Sequence, residues 1–290
     1  MTDRLVTHSL FLIGEGIGKS LTPAMHEREG RELGMSVSYH LVDALALGLA
    51  APDLPDVLTW AKRLGFTGFN VTHPFKQAII PHLDSMSDRA SALGAVNTVL
   101  IKDGQAIGHN TDWCGFQRPL LRQLPDAVGA RVVQIGAGGA GSAVAYALLD
   151  LGVKHLTLID AVPGKAEELV ARMSQLYSPD RVAVGTDLES VIEDVDGIVH
   201  CTPTGMATHP GTAVPEELLT PRRWVSEIVY FPLETQLLRL ARAKGCRTVD
   251  GGGMAAEQAN EAFYIFTGVR PDGDRMNAHL RAMVGETVAG

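Results

Sequence analysis

The 290-residue chain predicts an α/β protein built as two α/β domains, the second with a doubly wound parallel sheet. Three observations carry that expectation. Apolar runs of strand length alternate with longer amphipathic stretches along nearly the whole chain. Residues 131–160 hold a strand, the pattern G-x-G-x-x-G, a helix, a second strand and an acid, in that order and within one βαβ length. A full alternation of strands and helices already precedes that unit, so a separate domain is expected there. The boundaries expected are 1–112 for one domain and 113–254 for the other, with a segment 255–290 following them.

Composition limits the function classes. Hydrophobic content of 46% and charged content of 20% belong to a globular chain with a full core. A net charge of -8 argues against non-specific nucleic-acid binding. Cys114, Cys201 and Cys246 are widely spaced and form no C-x-x-C, which reads as buried reduced thiols. The opening MTDRLVTHSLFLIG has too short an apolar run for a signal peptide, and no run has the length of a membrane span. A cytoplasmic protein without membrane partners is therefore expected. The ten histidines include no H-E-x-x-H and no His/Cys cluster, so no metal site is expected.

In chain order, 9–13 reads as a strand, and Thr22-Pro23 as a hydroxyl N-cap and proline that start a helix to about Leu33, stopped at Gly34. Residues 36–42 alternate as a strand, and 54–64 form a helix stopped at Gly65. A third strand at 66–72 leads into His73-Pro74-Phe75-Lys76, where Pro74 starts another helix. Lys76 then stands at a positive helix end, a poor place for a cation without an anionic partner or a use for a depressed pKa. Residues 95–100 and 105–108 flank Asp103-Gly104, a hairpin signal. A helix begins near Trp113, after His109-Asn110-Thr111-Asp112.

The 131–160 unit follows. Gly136 allows the tight turn out of Val132-Val133-Gln134-Ile135, Gly138 lets backbone approach a pyrophosphate, and Gly141 lets the helix pack on the sheet. Asp160, ending the strand 156–159, is placed to accept from adenosine ribose hydroxyls. A dinucleotide site follows, with Gly136, Ala137, Gly138, Gly139, Ala140, Gly141 and Asp160 as its residues. Beyond it come a helix at 164–176 and strands at 182–184, 197–201, 225–229 and 247–249. Between the last two strands lies an amphipathic helix at 232–244. Thr202-Pro203-Thr204-Gly205-Met206 sits at the carboxyl end of its strand, where open parallel sheets bind ligands. His200 reads as a satisfied core histidine, and His209-Pro210-Gly211 as a turn. Gly251-Gly252-Gly253 frees the backbone for close approach or for bending between domains. A helix at 254–266 carries Gln258, Gly268 interrupts, and a last helix ends near Val284.

Five motifs then accumulate in order: Ser20-x-Thr22, Asn70-Val71-Thr72-His73-Pro74-Phe75-Lys76, Gly94-Ala95-Val96-Asn97-Thr98, Asn110-Thr111-Asp112 and the glycine loop. Across nearly the whole chain this pattern resembles the shikimate dehydrogenase family, which includes the quinate/shikimate dehydrogenases. The resemblance implies a substrate domain, a Rossmann-type nucleotide domain, C-terminal helices returning to the first domain, and a catalytic cleft between the two. It implies Lys76 and Asp112 as the proton-transfer pair. Ser20 and Thr22 would hold the substrate carboxylate, and Asn70, Thr72, Asn97 and Gln258 the ring hydroxyls. Tyr230 is a further substrate contact on this reading, and equally a packing tyrosine at a strand end. Lys165, Cys201, Thr202, Met206, Val229 and Gly251 would complete the cofactor site.

Two departures separate this chain from the NADP-using members: Thr22 in place of a second serine, and Asp160-Ala161-Val162 in place of Asn-Arg-Thr. Both resemble the NAD-using quinate/shikimate dehydrogenases. The expected function is NAD-dependent interconversion of quinate with 3-dehydroquinate and of shikimate with 3-dehydroshikimate, serving quinate catabolism. The expected assembly is a monomer or homodimer. The rivals are an NADP-linked shikimate dehydrogenase of aromatic amino-acid biosynthesis, with Lys165 on the 2′-phosphate, and a relative acting on amino-substituted analogues. A third, of a different class, is a catalytically silent sensor, which would have no use for both Lys76 and Asp112.

Overall fold

The computed structural model describes residues 7–289. The chain divides into two compact units: residues 1–111 with 258–280, and residues 112–257 with 281–290.

The first unit contains β1 (Thr7–Gly14), α1 (Thr22–Glu32), β2 (Ser36–Asp43), α2 (Ala44–Leu47), α3 (Leu54–Arg63), β3 (Gly68–Val71), α4 (Phe75–Ala78), β4 (Ser85–Met86), α5 (Asp88–Leu93), β5 (Thr98–Lys102) and β6 (Gln105–His109). Its sheet runs β2-β1-β3-β5-β6-β4. β1 is parallel to both β2 and β3, while β5 is antiparallel to β3 and β6. Leu10, Phe11, Leu12 and Ile13 are all buried, because helices cover both faces of β1 and an uninterrupted apolar run is what such a strand needs. The hairpin turn forms as the Asp103-Gly104 signal predicts, with both residues at positive φ (52° and 77°).

The second unit contains α6 (Asp112–Gln123), β7 (Arg131–Ile135), α7 (Gly139–Leu151), β8 (His155–Ile159), α8 (Lys165–Leu176), β9 (Val182–Val184), α9 (Leu188–Val191), β10 (Gly197–His200), β11 (Trp224–Glu227), α10 (Gln236–Ala243) and β12 (Arg247–Val249). All its strand pairs are parallel, in the order β12-β11-β10-β7-β8-β9. The order reverses between β7 and β10, and such a switch point leaves a crevice at the carboxyl ends of the strands. α11 (Gly252–Thr267) contains the division between the units, and α12 (Gly273–Ala289) closes the chain.

Several local expectations are corrected. Thr22 is not the N-cap of α1: Leu21 takes that position, and Thr22 is the first helical residue. Its amide donates to Ser20 Oγ at 3.3 Å, and the N-cap residue itself makes no side-chain cap. The helix expected at 232–244 begins only at Gln236, because Thr235 caps it by accepting from Leu238 N. α4 is a single turn with Pro74 at its N-cap position, so Lys76 meets little of the macrodipole that a long helix would present. The triple glycine gives the close approach expected of it, but its last two residues do so within a helix rather than a loop. Gly252 and Gly253 are helical, and a Cβ on Gly253 would press to 2.9 Å from Pro119 Cβ. Residues 85–93, for which the sequence reading expects no element, form β4 and α5, and Ser87 caps α5 by accepting from Ala90 N.

Candidate functional site

In the second unit the site is built on the turn between β7 and α7. Gly136 has φ of 104°, and a Cβ there would stand 2.7 Å from the Cys201 carbonyl oxygen. A Cβ on Gly141 would collide with the Gly136 carbonyl. Those two glycines are demanded by the protein's own packing. Gly138 and Gly139 are different: a Cβ on either would meet nothing within 4 Å. The open space lies at the N-terminus of a 13-residue helix whose first amides lack intrahelical partners, a setting that suits a pyrophosphate. The cradle therefore fits a dinucleotide.

Asp160 stands at the end of β8 with its carboxylate already engaged. Oδ2 accepts from Ala137 N at 2.7 Å and Oδ1 from Val162 N at 2.8 Å. It braces the glycine loop, and each oxygen keeps a lone pair for a ribose hydroxyl. Gln134 does a similar job from below and was missed in the sequence, where it passed as one residue of an apolar strand. It is fully buried, and its Nε2 donates to the carbonyls of Gly136 and Gly141, both at 2.8 Å. A glutamine inside a buried strand directly before a glycine turn was the available signal. Lys165 is exposed as the first residue of α8.

At the ends of β10 and β11, His200 and Glu227 face each other. His200 Nδ1 lies 3.0 Å from both carboxylate oxygens and Nε2 lies 2.5 Å from Thr202 Oγ1. His200 is thus a satisfied core histidine, as its apolar strand implied. Burial, and then the charge of Glu227, push the Cys201 thiol well up, so it stays protonated and offers no thiolate chemistry. Met206 and Tyr230 are exposed on the loops beyond these strands, whereas Val229 is buried. Gly251 is in close contact with the backbone of residues 228 and 229, and its Cβ would collide with the Ile228 carbonyl.

In the first unit, a chain of side-chain hydrogen bonds links the expected substrate residues. Tyr39 Oη donates to Asn70 Oδ1 at 2.6 Å, and Asn70 Nδ2 donates to Asn97 O (3.1 Å) and Thr98 Oγ1 (2.9 Å). Asn97 Nδ2 donates to Thr111 Oγ1 at 3.0 Å, and its Oδ1 accepts from Thr111 N at 2.9 Å. Both amide hydrogens of Asn70 are spent within the protein, which leaves it an acceptor for a ligand hydroxyl. Tyr39 is a second residue that sequence reasoning missed: nothing in an alternating strand marks one tyrosine as the orienter of an asparagine 31 positions away. Thr72, Ser20, Thr22 and Lys76 are half-buried in the same unit, and Gln258 is half-buried on α11. Asp112 is buried as the first residue of α6. Among the described residues, no group of three or more His, Cys, Asp or Glu side chains could hold a metal ion.

A parallel six-stranded sheet with a switch point, a glycine loop open at a helix N-terminus and an acid after the second strand define the class: a dinucleotide-binding fold joined to a second α/β domain. The description "Shikimate dehydrogenase substrate binding domain" matches residues 12–99. The shikimate dehydrogenase (NADP(+)) of Streptomyces avermitilis is 52% identical over 276 residues, covering 94% of this chain and 95% of that protein. The quinate/shikimate dehydrogenase (NAD(+)) of Corynebacterium efficiens is 49% identical over 273 residues, covering 93% and 96%. Quinate dehydrogenase from Corynebacterium glutamicum, solved in complex with NAD, superposes with a TM-score of 0.91 at 45% identity, covering 95% of this chain and 99% of that one. The chain belongs to the shikimate dehydrogenase family, as an oxidoreductase that takes a nicotinamide dinucleotide. Its relatives divide between the two cofactor names.

Proposed function

We propose that the chain is an NAD-dependent quinate/shikimate dehydrogenase. The observation that carries the cofactor preference is Asp160, an acid at the end of β8 whose carboxylate is held in place by two backbone amides. A ribose with free hydroxyls can donate to it, whereas a 2′-phosphate would be set against a fixed negative charge. The next residues, Ala161 and Val162, offer no guanidinium, and no arginine follows until Arg172.

The dinucleotide, when bound, accepts or supplies the hydride. The chain's own residues handle the proton and the orientation. Lys76 exchanges a proton with the reacting hydroxyl, and Asp112 holds both the ammonium and that hydroxyl. Ser20 and Thr22 hold the substrate carboxylate with neutral hydroxyl donors. Asn70, oriented by Tyr39, accepts from a ring hydroxyl, and Thr72, Asn97 and Gln258 supply the remaining polar contacts. The glycine loop and the carboxyl ends of β10 and β11 receive the dinucleotide.

The second reading is an NADP-linked shikimate dehydrogenase, with Lys165 at the start of α8 on the 2′-phosphate. The NADP(+) names of relatives at 52% and 49% identity favour it. Initial rates with quinate and shikimate, each with NAD and with NADP, separate the two. Turnover of both substrates with a clear NAD advantage in kcat/KM is expected. Equal or better use of NADP assigns the chain to the second reading.

A further inference from the structure

His200 and Glu227 form a fully buried ionisable pair, at 0% and 1% exposure. A buried pair of this kind adds little net stability over apolar packing of the same volume, so what it holds in place is the better guide to its use. Parallel pairing of β10 with β11 sets the two residues opposite each other at the last position of each strand. An ionised carboxylate only accepts, so His200 Nδ1 donates to Glu227 and Nε2 is left for Thr202 Oγ1. Thr202 Oγ1 also accepts from Thr204 N at 3.3 Å. On the other side, Glu227 Oε1 accepts from Val229 N at 3.0 Å and Oε2 from Thr235 Oγ1 at 3.4 Å. One pair thereby ties together the loop after β10, the segment after β11 and the cap of α10.

The position of these segments decides which part of the ligand they serve. A pyrophosphate at the N-terminus of α7 lies over the end of β7, and Asp160 draws the adenosine ribose to the β8 side. β10 and β11 stand on the opposite side of β7, so the other half of the dinucleotide extends over their ends. The loop after β10 also touches the glycine turn, since Gly136 has no room for a Cβ beside the Cys201 carbonyl.

We propose that His200 and Glu227 are positioning residues that hold Thr202 and the Val229 backbone in the shape that receives the nicotinamide half of the dinucleotide. The role rests on the dehydrogenase reading above. His200→Asn keeps a donor facing Glu227 and loses the link to Thr202, and Thr202→Val breaks the same link from the other side. NADH binding by the full chain, followed by fluorescence titration, should weaken about tenfold in each variant, the effect of one lost buried hydrogen bond. KM for the dinucleotide should rise in step, while KM for shikimate stays within about twofold. The double variant should be no weaker than the weaker single, because both act on one contact. Thr202→Ser, which keeps the hydroxyl, should restore binding. If His200→Asn fails to fold, the contrast of Thr202→Val with Thr202→Ser still carries the test. A variant set that binds NADH like the parent while only Tm falls, or that raises both KM values equally, overturns the proposal alone. A parent protein that binds no dinucleotide overturns the dehydrogenase reading and this proposal with it.

Discussion

Replacing Asp160 with Asn and Ala161 with Arg tests whether one carboxylate sets the cofactor preference. The structure lets the two consequences be separated. Asp160 accepts from Ala137 N at 2.7 Å and from Val162 N at 2.8 Å, and Asn can satisfy only one of these with its single oxygen. The lost charge-assisted bond costs about 1.5 kcal/mol at this half-buried position, the low end for bonds to charged groups. In a domain of this size that lowers Tm by ~3–6 °C. The gain for NADP is electrostatic. Two unit charges 4 Å apart near a protein surface repel by ~4 kcal/mol, and the half-exposed setting of Asp160 with ordinary salt reduces this to ~2 kcal/mol. That is about 30-fold in relative kcat/KM. The arginine adds a bidentate partner for the phosphate and should carry the ratio past unity. Initial rates at varied NAD and NADP with saturating shikimate measure the ratio, and thermal unfolding measures the bracing. A ratio that stays put while Tm falls would show that Asp160 only holds the glycine loop.

Three further outcomes are expected. Lys76→Ala should lower kcat by at least ~10²-fold with little change in substrate binding, the usual loss for a general acid/base; near-normal turnover across pH would remove Lys76 from the mechanism. Thr22→Val should raise KM for both substrates by the equivalent of about 1–3 kcal/mol, and Thr22→Ser should change the quinate-to-shikimate ratio. Because the Thr22 hydroxyl does not cap α1, neither change should move Tm, and unaltered KM values would exclude a substrate contact. His26 is fully buried beside Tyr39, Phe263 and Phe266 with both ring nitrogens lacking a partner among the described residues, and burial lowers its pKa to about 3. The unfolded chain, with an ordinary value of 6.5, binds a proton that the folded protein refuses, so stability is intact above pH 6.5 and falls by about 1.4 kcal/mol per unit as pH drops towards 3. His26→Leu should shift the acid-unfolding midpoint to lower pH, and an unchanged midpoint would refute the linkage.

Local chemistry made much of this protein legible. The glycines, apolar strand runs, stop signals at Gly34, Gly65 and Gly268, and the Asp103-Gly104 turn act over a few residues, where backbone sterics and periodicity decide the outcome. They sufficed for the α/β class, the dinucleotide cradle and the acid after β8. Boundaries were less legible where two signals competed: the helix expected from residue 232 starts only at Gln236, where Thr235 accepts from Leu238 N and caps it. What only the tertiary structure decided are the contacts between residues far apart in the chain. Tyr39 with Asn70, Gln134 with the glycine carbonyls and His200 with Glu227 exist because strand order and register bring them together. A single tyrosine, glutamine or glutamate in a strand carries no local mark of such a partner. Burial then favours the pairing, since an unpaired polar group in the core costs more than the bond returns in water.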